Sequence, residues 1–108
     1  MKKGEIWLVE IPGIDGHEQR GFRPAIFIAD TKTGVAIIIP CTSNLQALRF
    51  PFTIRIESSR SNGLNELSVA LVLQLRAIDK KRLLRKIGQL DNSVLKELDV
   101  VIRNLLDL

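Results

Sequence analysis

A chain of 108 residues that is 45% apolar and 26% charged fits one ordinary globular domain, residues 1–108, and excludes a disordered tail or a multidomain assembly. A single cysteine, Cys41, and a single histidine, His17, exclude an intrachain disulfide and a four-ligand structural zinc site within one chain. Sixteen Lys and Arg against twelve Asp and Glu give a net charge of +4, compatible with nucleic acid without deciding for it.

The N-terminal stretch is interrupted by Glu5 and Glu10 and has no signal-peptide core, so a cytoplasmic protein is expected. The longest apolar runs, such as residues 35–40, fall far short of the roughly 18 residues of a spanning helix, and no membrane contact is expected. Residues 4–11 alternate in polarity and predict a first strand that ends at Pro12-Gly13. Residues 14–22 are polar and bracketed by glycines, which predicts an exposed loop. Residues 24–29 and 35–41 are apolar strands joined by a hairpin in which Gly34 supplies positive φ. Over residues 50–57, Phe50, Phe52, Ile54 and Ile56 alternate onto one face, which predicts a half-exposed strand with Pro51 at an edge or an entry position.

Residues 58–65 are rich in turn formers, and residues 69–78 read as one apolar strand on which Gln74 and Arg76 share a face. Residues 79–86 predict a short helix capped by Asp79 and anchored by Leu83 and Leu84. Its Lys80, Lys81, Arg82, Arg85 and Lys86 form either a phosphate track or a solvated helix face. After Asp91, the spacing of Val94, Leu95, Leu98, Val101, Ile102 and Leu105 predicts a terminal amphipathic helix. Five or six short strands and one such helix predict a mainly β, α+β fold: a small antiparallel barrel or curled sheet, closed or flanked by the helix.

Several motifs occur in order between about residues 3 and 90: Gly4-Glu5-Ile6-Trp7, Gly16-His17-Glu18-Gln19, Gly21-Phe22-Arg23-Pro24-Ala25, Pro40-Cys41-Thr42-Ser43 and Gln74-Leu75-Arg76-Ala77-Ile78-Asp79. This series resembles the MazF/PemK (Kid) family of type II toxin endoribonucleases. The resemblance implies an SH3-like barrel acting as a homodimer that cleaves single-stranded RNA, often at specific sequences, with no metal or cofactor. It also implies neutralisation by a cognate MazE-like antitoxin, whose acidic disordered tail would compete for phosphate sites. The family's catalytic arginine and threonine fall on Arg23 and Thr42. An arginine and an aspartate of the PemK-like branch are replaced by Leu71 and Leu73, so the resemblance is to the MazF-like branch or to an impaired nuclease.

Metal-free RNA cleavage must activate a ribose 2′-hydroxyl, stabilise a pentacoordinate phosphorane and protonate the leaving 5′-oxygen. Arg23 suits the second task, because a guanidinium offers a fixed fork of donors and stays charged. Thr42 can donate to a non-bridging oxygen, with Ser43 positioning the same phosphate. His17 is the one side chain that ordinarily titrates near neutrality, and is either the proton-transfer group or a loop-ordering residue. Glu18 either pairs with Arg23 or Arg20 or acts as a base, and Gln19 reads a base edge or bonds the backbone. Phe22 is the candidate stacking platform, since the strand pattern sends most other aromatics to the core. Gln74 suits a base edge and Arg76 a phosphate, unless Arg76 pairs with Asp79 or Glu66. Cys41 reads as a small buried apolar residue. Two rivals stand beside the nuclease: a CcdB-type gyrase inhibitor, disfavoured by the ending Leu105-Leu106-Asp107-Leu108, and a degenerate antitoxin-binding protein.

Overall fold

The structure is a computed structural model and describes residues 1–11 and 21–108. Its strands are β1 (Glu5–Glu10), β2 (Phe22–Asp30), β3 (Val35–Thr42), β4 (Thr53–Ile56), β5 (Ser68–Leu71), β6 (Arg76–Asp79) and β7 (Leu83–Gln89), followed by helix α1 (Asn92–Leu106). All pairings are antiparallel, along the path β4-β5-β3-β2-β1-β7 with β6 added to β3. The result is a seven-stranded, barrel-like sheet whose path does not close, with one C-terminal helix.

The central strands read as continuous apolar runs because both of their faces are buried. On one face Ile6, Ile26, Ile39, Cys41 and Ile54 form a core with Leu98 of α1. On the other, Val9, Ala25, Phe27, Ala36, Ile38 and Ile78 form a second core. The helix follows its expected period: Val94, Leu95, Val101, Ile102 and Leu105 all pack on the first core around fully buried Leu98. Asp91 caps it by accepting the Val94 N–H at 3.0 Å, which holds the Asp91 carboxyl below its ordinary range. The β2–β3 hairpin also forms as expected, with Gly34 at φ 87°.

Three expectations are corrected. Residues 79–86 do not form a helix: Asp79 caps only the 3-10 turn Lys80–Arg82, and β7 follows. Leu83 is buried and Leu84 exposed, and pairing with β1 overrides the local helical preference. The strand expected at residues 50–57 shortens to Thr53–Ile56, because Phe52 adopts φ 56° and breaks the alternation. The apolar run 69–78 divides into β5 and β6 around the 3-10 turn Val72–Gln74.

That division follows from how β3 is paired. Cys41 lies opposite Ala70 in β5, a register that would bring Leu73 opposite Ile38, yet Ile38 faces Arg76 of β6. Leu73, Gln74 and Leu75 are thereby extruded from the ladder. Pro40, which has no N–H to give to a ladder, occupies β3 where its partner changes.

Candidate active site

The second core has a polar mouth. Along β2 the side chains facing that core run Phe27, Ala25, then Arg23; along β3 they run Ala36, Ile38, Pro40, then Thr42. Ala25 pairs with Pro40, and the same register continued for two residues sets Arg23 across from Thr42. From β6, Arg76 emerges beside Ile38 on the same face. Where the apolar alternation stops, three chemically active side chains therefore converge.

They line a groove of about 700 Å³ whose cations are Arg23, Arg49 and Arg76. No carboxylate is among its described lining residues. Guanidinium forks match phosphate oxygens, so this described lining suits an anion. Its apolar lining includes Pro40, Leu71 and Leu73. A smaller cavity of about 330 Å³ lies alongside and is lined by Phe22, Ser43, Asn65 and Glu66. Arg23 and Thr42 line both spaces and so form the ridge between them.

The hydroxyl of Thr42 is oriented. Its Oγ1 accepts the Asn44 N–H at 3.1 Å, so an acceptor position is filled and the O–H is left to donate. Asn44 in turn accepts the Gln46 N–H at 3.1 Å and starts the 3-10 turn Leu45–Arg49. This turn carries Arg49 into the groove, its guanidinium 5.5 Å from the Phe50 ring centre.

Motif order, polar mouth and arginine-lined groove all point one way, and sequence comparison decides it: the profile of the PemK-like, MazF-like toxins of type II toxin–antitoxin systems matches residues 2–106. The chain belongs to that family. The toxin is 32% identical to endoribonuclease MazF9 of Mycobacterium tuberculosis over 117 aligned residues, covering 100% of the toxin and 98% of the relative. It is 31% identical to endoribonuclease EndoA of Bacillus subtilis over 103 residues, covering 92% and 88% of the two chains. Its fold matches crystalline MazF of Deinococcus radiodurans with a TM-score of 0.79 at 24% identity, covering 100% and 97% of the chains. A MazE–MazF structure from the same organism matches with a TM-score of 0.78 at 25% identity, covering 100% and 96%.

Of the residues singled out in the toxin's sequence, Arg23, Thr42, Gln74 and Arg76 meet in the larger groove, and Phe22 and Ser43 in the smaller cavity. Gln74 and Arg76 reach the groove differently than expected. They do not share a strand face: Gln74 ends the extruded turn and Arg76 begins β6. Among the described residues Arg76 forms no ion pair with Asp79 or Glu66. His17, Glu18 and Gln19 lie outside the described residues.

The basic run is largely engaged elsewhere: Lys80 pairs with Asp30 at 2.6 Å, Arg82 with Glu10 at 3.2 Å and Lys86 with Glu5 at 3.2 Å. These contacts tie the β6–β7 segment to β1 and β2. The Cys41 thiol is buried, which pushes its pKa up to about 12 and keeps it protonated, so it is no nucleophile at neutral pH. Among the described residues no group of three or more His, Cys, Asp or Glu side chains could hold a metal ion. No described helix is long and apolar enough to cross a membrane. Sequence reasoning missed Asn44, Arg49 and Phe50, whose signal was an aromatic beside an arginine just before Pro51.

Proposed function

We propose that the toxin cleaves single-stranded RNA, with the scissile phosphate on the Arg23–Thr42 ridge and the flanking nucleotides in the two adjoining cavities. The observation that carries this reading is the ridge itself: an arginine and an oriented hydroxyl shared by two cavities, the larger one lined by three arginines. The two curated relatives are named endoribonucleases, which favours RNA cleavage over gyrase-type inhibition or a binding-only role.

In this reading the ribose 2′-oxygen attacks the adjacent phosphorus, and a new P–O bond forms as the bond to the 5′-oxygen breaks. The 2′-hydroxyl gives up its proton, the 5′-oxygen gains one, and the products carry a 2′,3′-cyclic phosphate and a 5′-hydroxyl. Arg23 offsets the extra negative charge of the phosphorane, where donors fixed in advance act most strongly. Thr42 donates to a non-bridging oxygen and Ser43 helps hold the same phosphate. His17 is assigned to proton transfer, its alternative being to order its loop. Glu18, Gln19, Phe22, Gln74 and Arg76 hold or read nucleotides. No metal or organic cofactor enters the reaction.

The working unit in this proposal is a cytoplasmic homodimer, with one toxin domain spanning residues 1–108 of each chain. A MazE-like antitoxin silences it by laying an acidic segment where phosphates bind, supported by the groove's arginines and by the MazE–MazF neighbour.

Attack by the 2′-hydroxyl makes a direct demand on the substrate. Replacing the one ribose before a mapped cut by 2′-deoxyribose removes that cut and leaves the others, as read by gel electrophoresis of end-labelled RNA. Persistent cutting at the substituted position would contradict the mechanism.

A further inference from the structure

Phe50 does not sit where its sequence pattern sends it. In a regular strand it would share the core face of Phe52, Ile54 and Ile56, yet it is 51% exposed and lines the groove. The cause is local. Phe52 adopts φ 56°, a left-handed conformation unusual for a bulky residue, and this bend lets Phe52 pack on the first core while Phe50 faces the groove.

The backbone around Phe50 is tied on every side. The Phe50 N–H donates to Ala47 at 3.1 Å, its carbonyl accepts the Thr53 hydroxyl at 3.0 Å, and the Phe52 carbonyl accepts the Leu73 N–H at 3.2 Å. The backbone that carries this half-exposed ring is thus fixed, and the Arg49 guanidinium lies 5.5 Å from the ring centre. Such a ring beside a cation, in a groove lined by arginines, matches the way proteins hold single-stranded nucleic acid: an aromatic face for a base and cations for the backbone.

We propose that Phe50, positioned by Arg49, is a stacking platform that seats one nucleobase of the substrate in the larger groove. This rests on the RNA-cleaving reading and adds a positioning residue to it. The Phe50 ring has no group that gives or takes a proton, so it contributes to holding the substrate rather than to the reacting atoms. Stacking on an aromatic face predicts a loss of about tenfold to a hundredfold in affinity when the ring is removed.

The test uses an RNA oligonucleotide spanning a mapped cut, both in cleavable form and with 2′-deoxyribose at the cut nucleotide for binding by fluorescence anisotropy. Phe50→Ala is expected to weaken binding and raise KM about tenfold to a hundredfold, with a far smaller change in kcat. Phe50→Trp is expected to restore binding. Phe50→Leu keeps an apolar side chain without the π face and is expected to remain weak. In a series of oligonucleotides with one abasic position each, one position should weaken wild-type binding by the same factor and make no further difference in Phe50→Ala. Wild-type affinity in Phe50→Leu, or no coupled abasic position, would overturn the platform while leaving RNA cleavage intact. Failure of the wild-type toxin to bind or cut RNA would overturn both.

Discussion

Replacing Arg23 with alanine is expected to slow RNA cleavage about a thousandfold, by analogy with removal of one fixed donor to a developing charge. The side chain is exposed, lines both cavities and forms no ion pair among the described residues. Its removal should therefore leave stability within about 0.5 kcal/mol of wild type. Arg23→Lys should recover little, because an ammonium supplies charge without the paired N–H geometry. Thr42→Val should cost about a hundredfold, and Thr42→Ser should restore most of the loss because it keeps the hydroxyl. Losses at the two sites should not add, since both act on one phosphate. Single-turnover cleavage of a short RNA, alongside thermal melts, measures all of these. An Arg23→Ala variant within tenfold of wild type would remove Arg23 from the chemistry.

A large effect on stability is expected at a glycine outside the lining of the groove. A Cβ at Gly88 would lie 2.3 Å from the Asn62 carbonyl carbon and 2.6 Å from the Ser61 oxygen. That oxygen already accepts the Gln89 N–H at 3.0 Å. The loop cannot retreat, because buried Asn62 staples it: its amide donates to Glu57 at 2.8 Å and accepts the Ser59 and Leu64 N–H groups at 3.0 and 2.9 Å. Gly88→Ala therefore forces backbone apart and should cost about 3 kcal/mol, lowering Tm by about 10–20 °C. Gly34→Ala is the control. It has a positive φ of 87°, which Gly88 does not, and nothing within 4 Å of an added Cβ, so it bears only conformational strain, about 1 kcal/mol. Thermal unfolding separates the two, and equal Tm values would show that the close approach at Gly88 costs no more than the strain at Gly34.

What the sequence disclosed was whatever has a strict local period. Helix α1 announced itself by its apolar stripe and its Asp91 cap, and the β2–β3 hairpin by two apolar runs around Gly34. The order of motifs led to Arg23 and Thr42 because each lies at a strand end, where backbone pairing sets its position. What stayed hidden depends on partners distant in the chain. β7 looked helical because Asp79 does cap a turn, and only pairing with β1, reinforced by Lys86–Glu5 and Arg82–Glu10, makes it a strand. The extrusion of residues 73–75 needs two strands competing for β3, and no local pattern encodes that. Phe50 was assigned to the core by a sound alternation, which the bend at Phe52 cancels.

In the proposed reaction the toxin breaks RNA through its own side chains and the substrate's 2′-hydroxyl. The most direct measurement is digestion of a long, sequence-diverse single-stranded RNA by the purified toxin in excess EDTA, with chemical identification of both new ends. Discrete cuts unaffected by the chelator are expected, each leaving a 2′,3′-cyclic phosphate and a 5′-hydroxyl. Cuts that vanish in EDTA, or that leave a 5′-phosphate, would contradict it.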